Sequence, residues 1–167
     1  MNKALFACLV LALALLSGCD LADDDRGDFG GTVRGDVTLS LRGNSARATP
    51  TVLELLDNTN TDTRVVSVLV SPVGSRAVLP TAPGRVNLTD WRATNPALWN
   101  GEVADTDFTA MLSVSDRGGF YYARSGEVLV ESVTVHEVRG RMSFVAATGF
   151  ESSSPSVEVE LTFRALR

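Results

Sequence analysis

From Ser156 to Leu166 the chain alternates without a break. Val157, Val159, Leu161, Phe163 and Ala165 fall on one side, and Glu158, Glu160, Thr162 and Arg164 on the other. Successive strand side chains point to opposite faces, so this pattern predicts a strand with one face in a core and one in water. Val138 to Ala147 repeats it, with Val138, Gly140, Met142, Phe144 and Ala146 inward. Glu127 to Glu137 carries it with a phase change, where Val128 and Val130 give way to Val133 and Val135. A β-bulge near Glu131-Ser132 produces such a shift. Three consecutive strands of this kind restrict the C-terminal part of the chain to an antiparallel sheet.

The earlier chain supplies more strands of the same sort. Thr32 to Arg42 alternates with Val33, Gly35, Val37, Leu39 and Leu41 on one face, and reads as one half-buried strand. Gly43 to Pro50 reads as a polar turn. Thr51–Leu56 and Thr63–Ser71 read as a strand pair around the loop Asp57–Asp62. Val65, Val66, Val68, Leu69 and Val70 form a nearly continuous apolar run, as in a strand covered on both faces. Phe108, Ala110, Leu112 and Val114 share one face of Asp107–Ser115, before a turn at Asp116–Gly119. The expected fold is all-β: a single antiparallel β-sandwich, with a closed β-barrel as the alternative, of about seven to nine strands.

Pro72 to Gly101 is the irregular stretch, broken by Pro72, Gly74, Pro80, Pro83, Gly84 and Pro96. Leu88–Ala93 suits one helical turn capped by Thr89 or Asp90. Trp91 and Trp99 flank Arg92 closely enough for the three to form a ligand or partner contact, two aromatics and a guanidinium stacking on a sugar or a peptide. The structural reading makes the same segment a lid whose tryptophans plug one end of the β core, since a long loop needs such attachments.

At the other end of the chain, Met1-Asn2-Lys3 is a short positive stretch and Ala4–Leu16 an apolar run, shorter than the ~20 residues of a spanning helix. The run ends in Leu16-Ser17-Gly18-Cys19. This tetrapeptide resembles the lipobox of bacterial lipoproteins at all four positions. The hairpin Gly126–Val130 with Val138–Phe144 also resembles the C-terminal part of many small β-rich bacterial lipoproteins. The lipobox resemblance implies a signal peptide at 1–18, cleavage before Cys19, and a diacylglyceryl thioether on the Cys19 sulfur. A partner membrane, held through that lipid, and a place in the cell envelope follow from it. Two or three acyl chains give stable anchoring where one is marginal. Asp20 sits where, in some enteric bacteria, an aspartate resembles an inner-membrane retention signal; the rule is not general, so the membrane stays open.

The segment 19–31 (from Cys19 through DLADDDRGDFGG) reads as an acidic flexible tether and 32–167 as the β domain. Asp23, Asp24, Asp25 and Asp28 carry hard oxygen ligands, but not at the spacing of a calcium loop, so a solvated spacer is the expectation and no metal is assigned. Removing residues 1–18 from the 167 leaves 149, enough for one domain. It also removes Lys3, the only lysine, and takes the net charge from −5 to −6, which argues against nucleic acid as a partner. Cys8 leaves with the leader, so no disulfide is available.

No catalytic signature is present. His136 is the one histidine, expected on a strand, with no second histidine or free cysteine for zinc and no Gly-x-Ser-x-Gly nucleophile motif. Asp105 and Asp107 share a face at the start of a strand, where carboxylates are ordinarily solvated. There is no phosphate loop or dinucleotide glycine pattern. The expectation is a non-enzyme without cofactor: an envelope lipoprotein whose β domain binds a protein or an envelope component. The alternative is a lipocalin-like carrier of a small apolar ligand, recognisable by an enclosed apolar cavity.

Overall fold

A computed structural model describes residues 27–57, 66–95, 97–115 and 119–167. Its ten strands are β1 (Asp28–Gly35), β2 (Leu39–Gly43), β3 (Ser45–Ala48), β4 (Leu53–Asp57), β5 (Val66–Pro72), β6 (Gly84–Leu88), β7 (Phe108–Val114), β8 (Gly119–Val133), β9 (Glu137–Ala147) and β10 (Ser156–Leu166). All belong to one sheet, and the sheet closes: β10 pairs with β9 on one side and with β1 on the other. The all-β expectation is therefore met in its barrel form. The sandwich expected first is not formed, because a sandwich needs two separate sheets with edges, and here the first and last strands pair over their length.

The ring is an up-and-down barrel with eight wall positions. β2 and β3 are two halves of one kinked position: β2 pairs with β1, while β3 pairs with β4 and touches β10 at Leu166. β6 and β7 share another, both lying along the 15-residue β8, whose first half pairs with β7 and second half with β6. Between them the chain leaves the wall at Thr89 and returns at Phe108, placing the excursion 89–107 outside the barrel.

The long strands follow their alternation. Val138, Met142, Phe144 and Ala146 of β9 and Val157, Val159, Leu161, Phe163 and Ala165 of β10 are buried, with the charged residues between them on the outer wall. The expected bulge is present, the β8–β9 register slipping between Val130 and Ser132; a second slip lies between Ala123 and Ser125, before Gly126 at φ 159°.

Several boundaries differ from the pattern. Thr32–Arg42 is a hairpin, not one strand: Gly35 takes φ 128°, a conformation an L side chain resists, and the chain reverses over 36–38. The turn keeps the alternation in phase because Val37 tucks back into the core, hiding the reversal. β1 begins at Asp28, so residues 28–31, expected in the tether, are wall. Phe29 is buried, its ring lying where a side chain on Gly43 would go, and Gly31 is packed against Leu161. Ser45–Ala48, expected as turn, is a strand whose inward residues are only alanines. Cys19, the rest of the expected tether up to Arg26, and Asp116–Gly118 lie outside the described residues.

Antiparallel pairing sorts the connections to two rims. The first rim, where β1 starts, carries Gly27, the β3–β4 turn, the 73–83 loop, the β8–β9 turn and the C-terminus. The second carries the 36–38 turn, the end of β7, the start of β8 and the 148–155 loop. The 73–83 loop folds over the first rim, with Ala77 and Leu79 buried and Leu79 N donating to Pro50 O at 2.7 Å. Aliphatic and aromatic side chains from all ten strands occupy the interior between the rims.

Candidate functional site

The excursion 89–107 packs on the outer wall over β7 and β8. It begins on Asp90, whose side chain accepts from Arg92 N at 2.9 Å and so caps the 3-10 turn Trp91–Thr94. Beneath it Thr109, an outward residue of β7, is fully buried and its hydroxyl donates to Thr89 O at 3.0 Å.

Asp90 is the electrostatic centre of this region. It is 5% exposed. Arg92 grips it with two bonds, Nε to Oδ1 at 3.0 Å and Nη2 to Oδ2 at 2.9 Å, and Arg124 of β8 adds Nη1 to Oδ2 at 3.2 Å. Burial pushes the carboxyl upward, but the hydrogen bonds from the Arg92 side chain and backbone and from Arg124 outweigh it and hold Asp90 below its ordinary 3.8. The same bond raises Arg92 above its ordinary value. Two guanidiniums on one carboxylate leave the cluster one net positive charge.

Aromatic rings surround this centre. Arg92 lies 5.2 Å from the Trp99 ring centroid, and Arg124 5.7 Å from that of Phe150, while also donating to the carbonyls of Gly149 and Glu151. Tyr122, outward on β8, meets Trp91 at 5.1 Å, Phe150 at 6.1 Å and Phe120 at 6.4 Å between centroids. Phe120 is 48% and Phe150 42% exposed, so the ring set opens to solvent toward the second rim. Trp99 Nε1 is buried without a hydrogen-bond acceptor among the described residues.

The structure thus brings Trp91, Arg92 and Trp99 into one neighbourhood, with both tryptophans half-buried on the outer wall. They do not plug an end of the core, as the lid reading expected: Trp91 rests on Tyr122, which points away from the interior, because the excursion leaves the barrel between β6 and β7. The sequence reading saw Asp90 only as a cap and missed Arg124, Phe120, Tyr122 and Phe150. Phe120-Tyr121-Tyr122 carried the available signal, since an aromatic on each side of a strand exceeds what one core face can absorb.

His136 lies exposed in the β8–β9 turn, not on a strand as expected. Asp105 and Asp107 are tied into the turn before β7: Asp105 Oδ1 accepts from Ser75 Oγ and Asp107 Oδ2 from Ala104 N, each at 3.0 Å. A concavity of about 500 Å³ lies on the wall across β8, β9, β10 and β1, where Gly30 brings no side chain. Its outward residues include Glu127, Arg141 and Glu160. No group of metal-ligating residues occurs among the described residues, and none of their helices is long and apolar enough to cross a membrane. The outer wall carries Arg139, Arg141, Glu158, Glu160 and Arg164, where a membrane-spanning barrel would face lipid with apolar side chains.

Comparison with family models, with curated proteins and with solved structures finds no match for this chain.

Proposed function

We propose that this chain is a lipid-anchored protein of a bacterial envelope, held by acyl chains on Cys19, whose barrel is a non-enzymatic binding module. In this reading the aromatic–arginine platform of Trp91, Arg92, Trp99, Phe120, Tyr122 and Phe150 receives a protein or an envelope component. The observation that carries it is the filled interior. Buried core side chains occupy the barrel and Ala77 and Leu79 are buried at the first rim, which supports recognition on the outside. Aromatic and arginine side chains dominate the energetics of protein contacts, and here Arg92 is held in place by the buried Asp90 carboxylate.

The up-and-down barrel favours a second reading, a lipocalin-like carrier, since that architecture encloses ligands in other proteins. It requires an interior that opens.

A photo-cross-linker at Phe150 in the membrane-bound protein separates the two. The binding-module reading expects one discrete adduct, lost when Phe120 is also changed to Ala. Stoichiometric uptake of an apolar fluorophore, unaffected by Phe120→Ala, would favour the carrier. For the anchor, Cys19→Ala should abolish incorporation of labelled palmitate; equal labelling of both proteins would remove the lipoprotein reading.

A further inference from the structure

We infer that the first rim of the barrel is the face that lies on the phospholipid surface, with Val135 and Val78 as its two points of entry. The inference rests on the lipid anchor proposed above. The described chain starts at Gly27 on that rim, eight chain steps from Cys19. Fully extended, eight steps reach at most about 29 Å. The first rim is therefore tied close to any bilayer that holds the Cys19 lipid.

That rim presents two apolar tips. Val135 is 82% exposed at the apex of the β8–β9 turn. Water-facing turn apices ordinarily take glycine, asparagine or aspartate. The turn is fixed: Thr134 N donates to Glu137 O at 2.8 Å, the Thr134 hydroxyl accepts from His136 N at 3.2 Å and Glu137 N at 3.1 Å, and Arg167 N donates to His136 O at 2.9 Å. Val78 is 54% exposed on the 73–83 loop, held out by the burial of its neighbours Ala77 and Leu79. Little conformational freedom is left to lose when either tip enters an interface.

Each tip has an arginine near it: Arg76 two residues before Val78, exposed and only loosely paired with Asp105 at 3.9 Å, and Arg167 bonded through its backbone to the residue after Val135. An apolar tip at the acyl boundary with a guanidinium at phosphate level is the pairing that interfacial segments use. Lipid phosphates supply the acceptors even in a zwitterionic bilayer. Phe120, Phe150 and Tyr122 lie toward the second rim, so this seating leaves the platform facing away from the lipid.

The mature protein has no cysteine besides Cys19, so Val135→Cys, Val78→Cys and Ser152→Cys each create a single labelling site in the acylated protein. All three positions lie outside the core, two at the first rim and Ser152 in the second-rim loop. Each labelled protein, with acylation of Cys19 verified by mass spectrometry, is reconstituted into protein-free phosphatidylcholine vesicles with a polarity-sensitive dye at the new thiol. The expected result is a blue shift and quenching by lipid-borne quenchers at 135 and 78, with 152 unchanged. Solvent-like emission at 135 and 78 on an acylated protein would overturn the seating and leave the anchor intact. Equal shifts at all three positions would also overturn it. A mature protein without acyl chains on Cys19 would remove the anchor and the seating together.

Discussion

Tyr121 on β8 donates a 2.8 Å hydrogen bond to Asp36 in the β1–β2 turn, 85 residues earlier in the chain. Tyr121 points into the barrel and Asp36 sits on the second rim, so the bond ties two wall positions together above the core. Because Asp36 is exposed and water can replace the donor, Tyr121→Phe should cost only about 1 kcal/mol by chemical denaturation. A loss of several kcal/mol would mean that the bond holds the rim shut.

Phe163 lies inward on β10 with its ring end over Gly140, its partner across β9. Phe163→Ala should destabilise by about 3–5 kcal/mol, through lost burial and the cavity left behind. Thr162, one residue away, faces out and bonds only to Gly30 O at 3.3 Å, so Thr162→Ala should change stability by less than about 1 kcal/mol. Urea titration of both variants tests the register; the reverse order would contradict it.

The long strands were legible because β9 and β10 each hold one period over eleven residues with almost every inward position apolar, and because the apolar run of β8 resumes the same alternation after its bulge. β1 was not, since Gly30-Gly31 beside aspartates has the composition of a linker; Gly31 is a wall residue with no room for a side chain, which would strike the Glu160 carbonyl and Leu161. β3 was hidden by alanines, and β6 by the prolines before it. The pairing of Trp91 with Tyr122 joins residues 31 apart through a strand crossing that no local pattern records. Sequence spacing could place Trp91, Arg92 and Trp99 together, but not the wall against which they rest.

The β1 boundary gives a contrast between two deletions. Removing 22–30 takes away Asp28, Phe29 and Gly30, and Phe29 is buried against Gly43. That deletion should lower the melting temperature by at least about 10 °C relative to one that stops at Arg26, on the usual 2–8 °C per kcal/mol. Calorimetry on the two proteins decides; equal melting temperatures would return 28–31 to the tether.

Asp90 predicts an acid limb. Its folded pKa lies below 3.8 and an unfolded aspartate titrates near the ordinary value, so the unfolded chain binds the proton first. The stabilisation is complete above the unfolded pKa and disappears as pH falls through the folded one. Asp90→Asn should lower stability by about 2 kcal/mol at neutral pH, because Arg92 and Arg124 lose their shared carboxylate while remaining partly solvated. The deficit should shrink as pH falls below about 4. A deficit constant from pH 7 to pH 2 would assign the effect to packing alone.

The β1–β10 seam also sets an order in time. Its partners stand at opposite ends of the described chain, Phe29 opposite Phe163, so no ring exists until both β1 and β10 have been made. Until then β1 offers a bare hydrogen-bonding edge, the kind that pairs with whatever strand comes first. Contacts of such long sequence separation also form slowly. A chain caught by lipid at its N-terminus would hold that open edge beside the bilayer throughout the wait. Loss of β10 alone would make the edge permanent, turning a closed ring into a template for aggregation.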